Sequence, residues 1–378
     1  MVVSSSSSWP IFAVFSILAI VLLFKAITTI SEDRYFRQRR IIEKLNELAE
    51  LMPPIENPQF LEFVNLLKTM KEAPMIIFYD SSNIDILRNH ICNLKFIPNT
   101  LPRLATISFD RQGFEMVSSE YPQIPNILID LEPLKSQLSS NVQNRGYIIY
   151  QLILMTRARI CAALARNSLD FWAMQQDSIW TGNLVGMRLD TRFPDANLIF
   201  DTVGNDQVEI YNRMRGWICG STFFVRAGVV STQFFEQVER LMRHRQSPDS
   251  AIMTYLCGNR KYKCQKLPHW IISSSDYFLA KRDIVPVVVQ VDADQKAMSK
   301  MELFKKSRFV FRHKNGTCDT SAFVRIRHSI RNALKDKMLA DPRSPEPLRT
   351  RIWYKLRSLL NIDPYNNKRF LQVHESLI

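Results

Sequence analysis

The chain has 378 residues, 46% of them hydrophobic, and a formal net charge of +14. That length and apolar content exclude a disordered chain and allow one large domain or two small ones. The basic excess includes Arg34–Arg40, Arg240–Arg245 and Arg325–Arg331, with no glycine-rich, zinc-finger or RNP-like module beside it. It reads as a basic surface meeting anionic lipid or phosphate-bearing ligands, and nucleic acid is not an expected partner.

After a short tail, residues 1–8, the segment Trp9–Ile30 is almost continuously apolar, interrupted by Ser16, Lys25 and two threonines. It is long enough to cross a bilayer of ~30 Å at about 1.5 Å per residue. No small-residue cleavage site follows it, so a single-pass signal anchor is preferred over a cleaved signal peptide. Lys25, Arg34, Arg37, Arg39 and Arg40 all lie at or beyond its C-terminal part. Charge asymmetry alone therefore favours a cytoplasmic body.

Residues 31–70 are expected to form a charged amphipathic stem helix, a solvated stalk. Ile41, Ile42, Leu45, Leu48 and Leu51 recur at helical spacing before Pro53 and Pro54. A domain is expected over 71–335. Met75–Tyr79, Ala105–Phe109 and Asn126–Asp130 are short apolar runs ending in or followed by an aspartate or turn residues, which predicts buried strands. Tyr147–Ala165 predicts a long helix, Leu169–Met174 the next strand and Trp217–Arg226 another. Thr232–Arg243 predicts an amphipathic helix, Ser247–Asp249 a helix start, and Phe309–Phe311 a last strand. A basic tail over 336–378 is expected to pack on the domain. Strands alternating with helices imply an α/β fold, a mostly parallel sheet flanked by helices. Ligands of such sheets bind beyond the C-terminal strand ends, where Asp80 and Asp177 fall.

The six cysteines, Cys92, Cys161, Cys219, Cys257, Cys264 and Cys318, form no Cys-x-x-Cys pair, which removes a zinc ribbon. Their even number allows disulfides in an oxidising lumen, with Cys257 and Cys264 the most local pair, or free buried thiols. A carboxylate at Asp177 and an imidazole at His313, both at the ends of strand-like runs, suit a divalent cation completed by phosphate oxygens. A helix cap or ion pair also explains a lone Asp in such a place, and a structural contact explains a lone His.

Asp177-Ser-Ile-Trp180 with its preceding strand, Gly220–Arg226 with Phe234-Phe235, the Asp249 helix start and His313-Lys-Asn-Gly316 occur in a distinctive order. Together, over roughly Met75–Arg331, they resemble the nucleotide-diphospho-sugar transferase domain family, particularly its nematode-type members. The resemblance implies a GT-A-type fold in a Golgi type II membrane protein with a luminal body. It implies transfer of a sugar from a nucleotide-sugar donor to a glycan or protein hydroxyl. The family's acidic pattern, Asp-x-Asp-x-x-Trp, places its second carboxylate on Asp177 and its first on Gln175.

By that resemblance Asp177 and His313 hold Mn²⁺ or Mg²⁺, and Asp249 is the acceptor-side acid or base. Asp80, Arg157, Gln175, Gly220 and Ser221 face the donor: Asp80 the base or ribose, Arg157 the diphosphate, Gln175 a ribose hydroxyl, and Gly220 and Ser221 the sugar. Gln175 removes one negative charge from the pattern. A weakened pseudo-glycosyltransferase, acting as a binding or scaffold protein of the secretory pathway, is the alternative. A cytoplasm-facing basic adaptor is the third. The sequon Asn315-Gly-Thr317 separates a luminal body from a cytoplasmic one.

Overall fold

The computed structural model describes residues 18–20, 25, 39–142, 144–203, 217–245, 247–258, 261–274, 284–291 and 299–336. Apart from 18–20 and 25, the expected span Trp9–Ile30 lies outside the described residues, as does the tail beyond 336.

Helix α1 (residues 39–50) precedes α2 (Pro58–Lys68), whose N-terminus is capped by Asn57 accepting from the Phe60 amide at 2.9 Å. Strand β1 (Met75–Tyr79) leads to α3 (Ile84–Lys95), and β2 (Leu104–Ser108) to α4 (Arg111–Glu120). Strand β3 (Asn126–Leu128), α5 (Glu132–Ser136) and α6 (Arg145–Arg166) follow, then β4 (Phe171–Met174) and β5 (Ser178–Trp180). Next come α7 (Leu189–Arg192), β6 (Leu198–Thr202), β7 (Ile218–Val225), α8 (Val229–His244) and α9 (Asp249–Gly258). The rest comprises β8 (Cys264–Lys266), β9 (Ile272–Ser273), β10 (Val288–Gln290), α10 (Lys300–Lys306) and α11 (Thr320–Asp336).

Seven strands form the main sheet in the order β3-β2-β1-β4-β7-β6-β8, and β5-β10-β9 form a small second sheet. In the main sheet β7 alone runs against its neighbours β4 and β6, so the sheet is mixed and largely parallel. Strand alternation divides the core. Ile76, Phe78, Phe171 and Ala173 face the layer of α1, α2, α6 and α8. Met75, Ile77, Trp172 and Met174 face the layer that contains α3 residues and the small sheet. Helix α6 is apolar and long enough to cross a membrane, but 78% of that apolar stretch is buried, which makes it the central core helix.

Two expectations change. Helix α1 is not a solvated stalk, because Ile41, Leu45, Leu48 and Ala49 are buried in the same core as α6 and α8. Their helical spacing is the signature of a docked face rather than of a free amphipathic stem. Phe309–Phe311 is not a sheet strand. The Asn89 side chain donates to Phe309 O at 3.0 Å and accepts from Phe311 N at 2.7 Å, so one amide satisfies the extended backbone in place of a strand neighbour. Among the described residues the ladder contact nearby is the isolated bridge between Arg312 and Cys318.

Disulfides join Cys257 to Cys264 and Cys92 to Cys318, while Cys161 is a free, buried thiol. The second bond ties α3 to the segment that follows His313, across 226 residues of sequence.

Candidate functional site

The sheet order reverses between β1 and β4. From β1 the chain moves outward through β2 and β3, then returns to place β4 on the other side of β1. Ile77 pairs with Met174, so the C-terminal ends of β1 and β4 lie side by side. Beyond them come Asp80 on one strand and Gln175-Gln-Asp177 on the other. A crevice outside the strand ends at such a reversal is the standard ligand position of open α/β sheets.

Strands β7 and β6 bring further groups to the same edge. Thr222 pairs with Met174, so Ser221 and Gly220 run on beside the residues that follow β4. The end of β6 carries Asp201, 1% exposed, which accepts from the amides of Gly220 (2.9 Å), Ser221 (3.1 Å) and Thr222 (3.0 Å) and from the Ser221 hydroxyl. Burial pushes the Asp201 carboxyl up, and these four donors pull against it. Gly220 sits at φ +73°, and a Cβ there would meet Met253 Cε at 2.6 Å. Gly220 and Ser221 are therefore a braced irregularity within β7, where its pairing with β6 shifts register, and their amides are spent on Asp201.

Arg157 of α6 and Asp249 at the start of α9 form a buried ion pair, each side chain 6% exposed. The other Asp249 oxygen accepts from the Ser250 amide at 2.7 Å. A Cβ on Gly220 would lie 3.7 Å from Arg157 Nη2, so this pair stands directly behind Gly220 of β7. The guanidinium also lies 5.7 Å from the centroid of the Phe223 ring. The candidate acid or base and the candidate diphosphate ligand are thus joined to each other.

Asp80 accepts from the Ser82 hydroxyl at 2.5 Å and from Asn83 at 3.4 Å, shaping the turn after β1. The neighbouring turn after β2 is tied to it. Asp110 takes the Ser81 amide at 2.8 Å and hydroxyl at 2.7 Å, and caps α4 through the Gly113 amide at 2.7 Å.

Asp177, 6% exposed, sits in the turn between β4 and β5 and is reached by the small sheet. Its backbone carbonyl accepts from Val291 N at 2.9 Å. One carboxylate oxygen accepts from Gln290 Nε2, the other from the Lys300 ammonium. Gln290 Nε2 also donates to Gln175 Oε1 at 3.2 Å. Those two acceptors fix the Gln290 amide orientation and leave its Oε1, buried, without a partner among the described residues.

His313 takes no part in these bonds. Its Nε2 lies 3.9 Å from Asp319 Oδ1, its side chain is 52% exposed, and no hydrogen bond or ion pair joins it to Asp177. Among the described residues no group of three or more His, Cys, Asp or Glu side chains is placed to hold a metal ion. Asp177 offers one carboxylate, both of whose oxygens are already engaged, and Gln175 offers only a neutral amide. Among the described residues this donor set falls short of the oxygen ligands that Mn²⁺ or Mg²⁺ takes.

Sequence reasoning missed Asp201, Asp110, Gln290 and Lys300. The first three end or follow apolar runs, Leu198–Phe200, Leu104–Phe109 and Val287–Val289, the same signal that marked Asp80 and Asp177. Lys300 carries no local signal.

A sequence profile described as nucleotide-diphospho-sugar transferase matches residues 99–304. No curated protein matches the chain in sequence. Solved structures similar to it include the mouse xyloside xylosyltransferase 1 apo form, at 9% identity and a TM-score of 0.40, over 60% of this chain and 99% of that one. The galactosyltransferase LgtC with donor and acceptor sugar analogues is 12% identical with a TM-score of 0.40, over 73% of this chain and 99% of that one. The apo bifunctional glycosyltransferase WbbM is 9% identical with a TM-score of 0.40, and the match covers 70% of this chain but only 51% of that protein.

Proposed function

The chain belongs to the nucleotide-diphospho-sugar transferase family, and from that premise we propose that it binds a nucleotide-diphospho sugar across the ends of β1 and β4 and transfers the sugar to a glycan or protein hydroxyl. The observation that carries the reading is the sheet reversal. It sets Asp80, Gln175 and Asp177 on one edge, with Gly220, Ser221 and the Arg157–Asp249 pair beside them. In a GT-A-like arrangement the Asp80 turn takes the nucleoside, Gln175 a ribose hydroxyl, and the braced Gly220-Ser221 stretch of β7 the sugar. A divalent metal forms no part of this reading, because the described groups around Asp177 do not make up a site for one.

The same reading takes the body to be luminal in the Golgi, anchored by Trp9–Ile30. Two disulfides favour an oxidising compartment over the cytoplasm that the flanking charges suggest. Asn315 is exposed, and its Oδ1 accepts from the Thr317 hydroxyl at 2.7 Å, a sequon open to glycosylation.

A second reading, a donor-binding protein without transfer, is favoured by Asp249. Both its oxygens are occupied, one by a buried guanidinium, so it is not placed to take a proton from an acceptor.

The test uses full-length protein in detergent with a panel of UDP- and GDP-sugars. Transferase activity predicts binding of one donor and release of its nucleoside diphosphate, faster with acceptor present. Binding without release supports the second reading. No binding of any donor contradicts both.

A further inference from the structure

The outer face of α11 takes no part in the site described above. The helix is capped by Asp319, which accepts from the Ser321 and Ala322 amides at 2.9 and 3.2 Å. Ala322, Ile326, Ile330 and Leu334, at a spacing of four, bury its inner face in one apolar cluster with Phe304, Phe309 and Phe311. The Cys92–Cys318 bond fastens the segment just before it to α3. The same spacing that turns those residues inward turns Arg325, Arg327 and Arg331 outward, and all three are exposed. The arginines therefore stand on a helix whose position is held by its core and by a covalent bond.

The described side chains on this face carry charge of one sign. The carboxylate beside it, Asp319, faces Arg325 at 3.7 Å and His313 at 3.9 Å. Arg327 and Arg331 have no carboxylate partner among the described residues. They lie four positions apart on one helix face, an arrangement in which like charges repel. Exposed Lys314 precedes the helix, and exposed Lys305 and Lys306 end α10, whose Leu303 and Phe304 share the same core. Surface arginines elsewhere are matched: Arg88 by Glu120, Arg166 by Glu56 and Glu236, and Arg243 by Glu239 and Glu50. An unmatched row of cations on a fixed helix raises a local positive field that an anionic partner relieves.

We propose that this face of α11 binds an acidic polysaccharide, a glycan chain bearing carboxylate or sulfate groups. Arg325 to Arg331 covers about 9 Å of helix, so successive cations meet successive anionic groups of an extended polymer rather than one phosphate. A bilayer suits the face poorly. Its exposed large apolar side chain is Val324 alone, whereas helices that lie on membranes bury an apolar face in the lipid, and that of α11 is spent on the core. The chain beyond α11 is no better match. Residues 337–378 set Arg349, Arg351, Lys355 and Arg357 against Glu346 and Asp363, which adds positive charge to positive. The proposal rests on the luminal placement given above, where glycans are the abundant polyanions, and not on donor binding.

The experiment places full-length protein in nanodiscs of phosphatidylcholine, with or without phosphatidylserine, and measures its capture by immobilised heparin, polygalacturonate and dextran without nucleotide. Heparin and polygalacturonate are expected to capture it, more weakly as salt is raised, and neutral dextran is not. Arg327→Ser/Arg331→Ser should weaken capture about tenfold, the range for two surface ion pairs lost together. Lys314→Ser/Arg327→Ser, a second pair from the same surface, should lose a similar amount. Lys68→Ser/Lys71→Ser removes the same charge from exposed positions in and after α2 and should change capture less than about twofold. No capture by either acidic polymer, or equal capture by dextran, overturns the proposal. So does capture that both α11 pairs leave unchanged or that the α2 pair reduces equally, which would mark net charge alone. Capture suppressed by phosphatidylserine in the nanodisc overturns it in favour of a lipid surface. Because nucleotide is absent throughout, none of these outcomes bears on the donor reading.

Discussion

At the scale of single residues, two buried groups behind the site carry measurable consequences. His90 of α3 is 1% exposed, with Nδ1 2.8 Å from Ser178 O, the residue directly after Asp177. Burial lowers its pKa to about 4, although the Ser178 carbonyl and Asp177 pull the other way. The native protein therefore keeps His90 neutral at pH values where an unfolded chain has bound the proton. Stability should be complete above pH ~6.5 and fall toward pH ~4, by at most about 1.4 kcal/mol per pH unit from this one group. Thermal melts of wild type and His90→Asn across that window check it, and the variant should show the flatter profile. Asp201 is the second case. Asp201→Ala leaves three buried amides and a hydroxyl without their acceptor, each worth about 1–3 kcal/mol. Denaturant midpoints should show a loss of at least about 3 kcal/mol, and Asp201→Asn, which keeps one oxygen acceptor, a smaller one. Asp201 was legible in principle, since Leu198–Phe200 is an apolar run closed by a carboxylate. Lys300 was not, because the contact between positions 177 and 300 exists only after β10 has paired with β5.

At the scale of elements, the strands were most legible where an apolar run of about five residues met an abrupt polar turn. Met75–Tyr79 forms a strand over its full length, and the Leu169–Met174 run holds β4. The signal misled where a side chain replaced a strand neighbour, as Asn89 does for Phe309 and Phe311. It also misled at α1, where the same helical periodicity serves a free amphipathic stem and a docked helix equally well. Docking is visible in the partners: Arg159 donates to Ala49 O at 3.3 Å, and Arg243 pairs with Glu50. Leu48 is fully buried, so Leu48→Ala should cost about 2–4 kcal/mol in unfolding experiments. A solvated stalk predicts almost no change.

At the scale of the whole molecule, the long-range disulfide and the sheet reversal organise the site together. Cys92–Cys318 fastens the segment carrying His313 to α3, the helix that begins beside Asp80 and contacts β5 after Asp177. Closing so long a loop should stabilise the fold by about 2–5 kcal/mol, so the Cys92→Ser/Cys318→Ser double variant should melt lower by that amount. Intact mass before and after reduction should show two bonds in the wild type and one in the variant. The fold class and the edge bearing Asp80 and Asp177 could be seen in the sequence, because both follow from local apolar runs and their order. The partners of Asp177 and Asp249 could not, because each is supplied from an element distant in sequence. The central claim, a nucleotide-sugar donor across the ends of β1 and β4, is tested most directly by photolabelling the full-length protein with azido analogues of UDP- and GDP-sugars and mapping the modified peptides. The structure predicts labels on peptides carrying Asp80–Asn83, Asp110–Gly113 or Gln175–Asp177, removed by excess unlabelled nucleotide. Competed labelling confined to other surfaces, or no competed labelling at all, would contradict it.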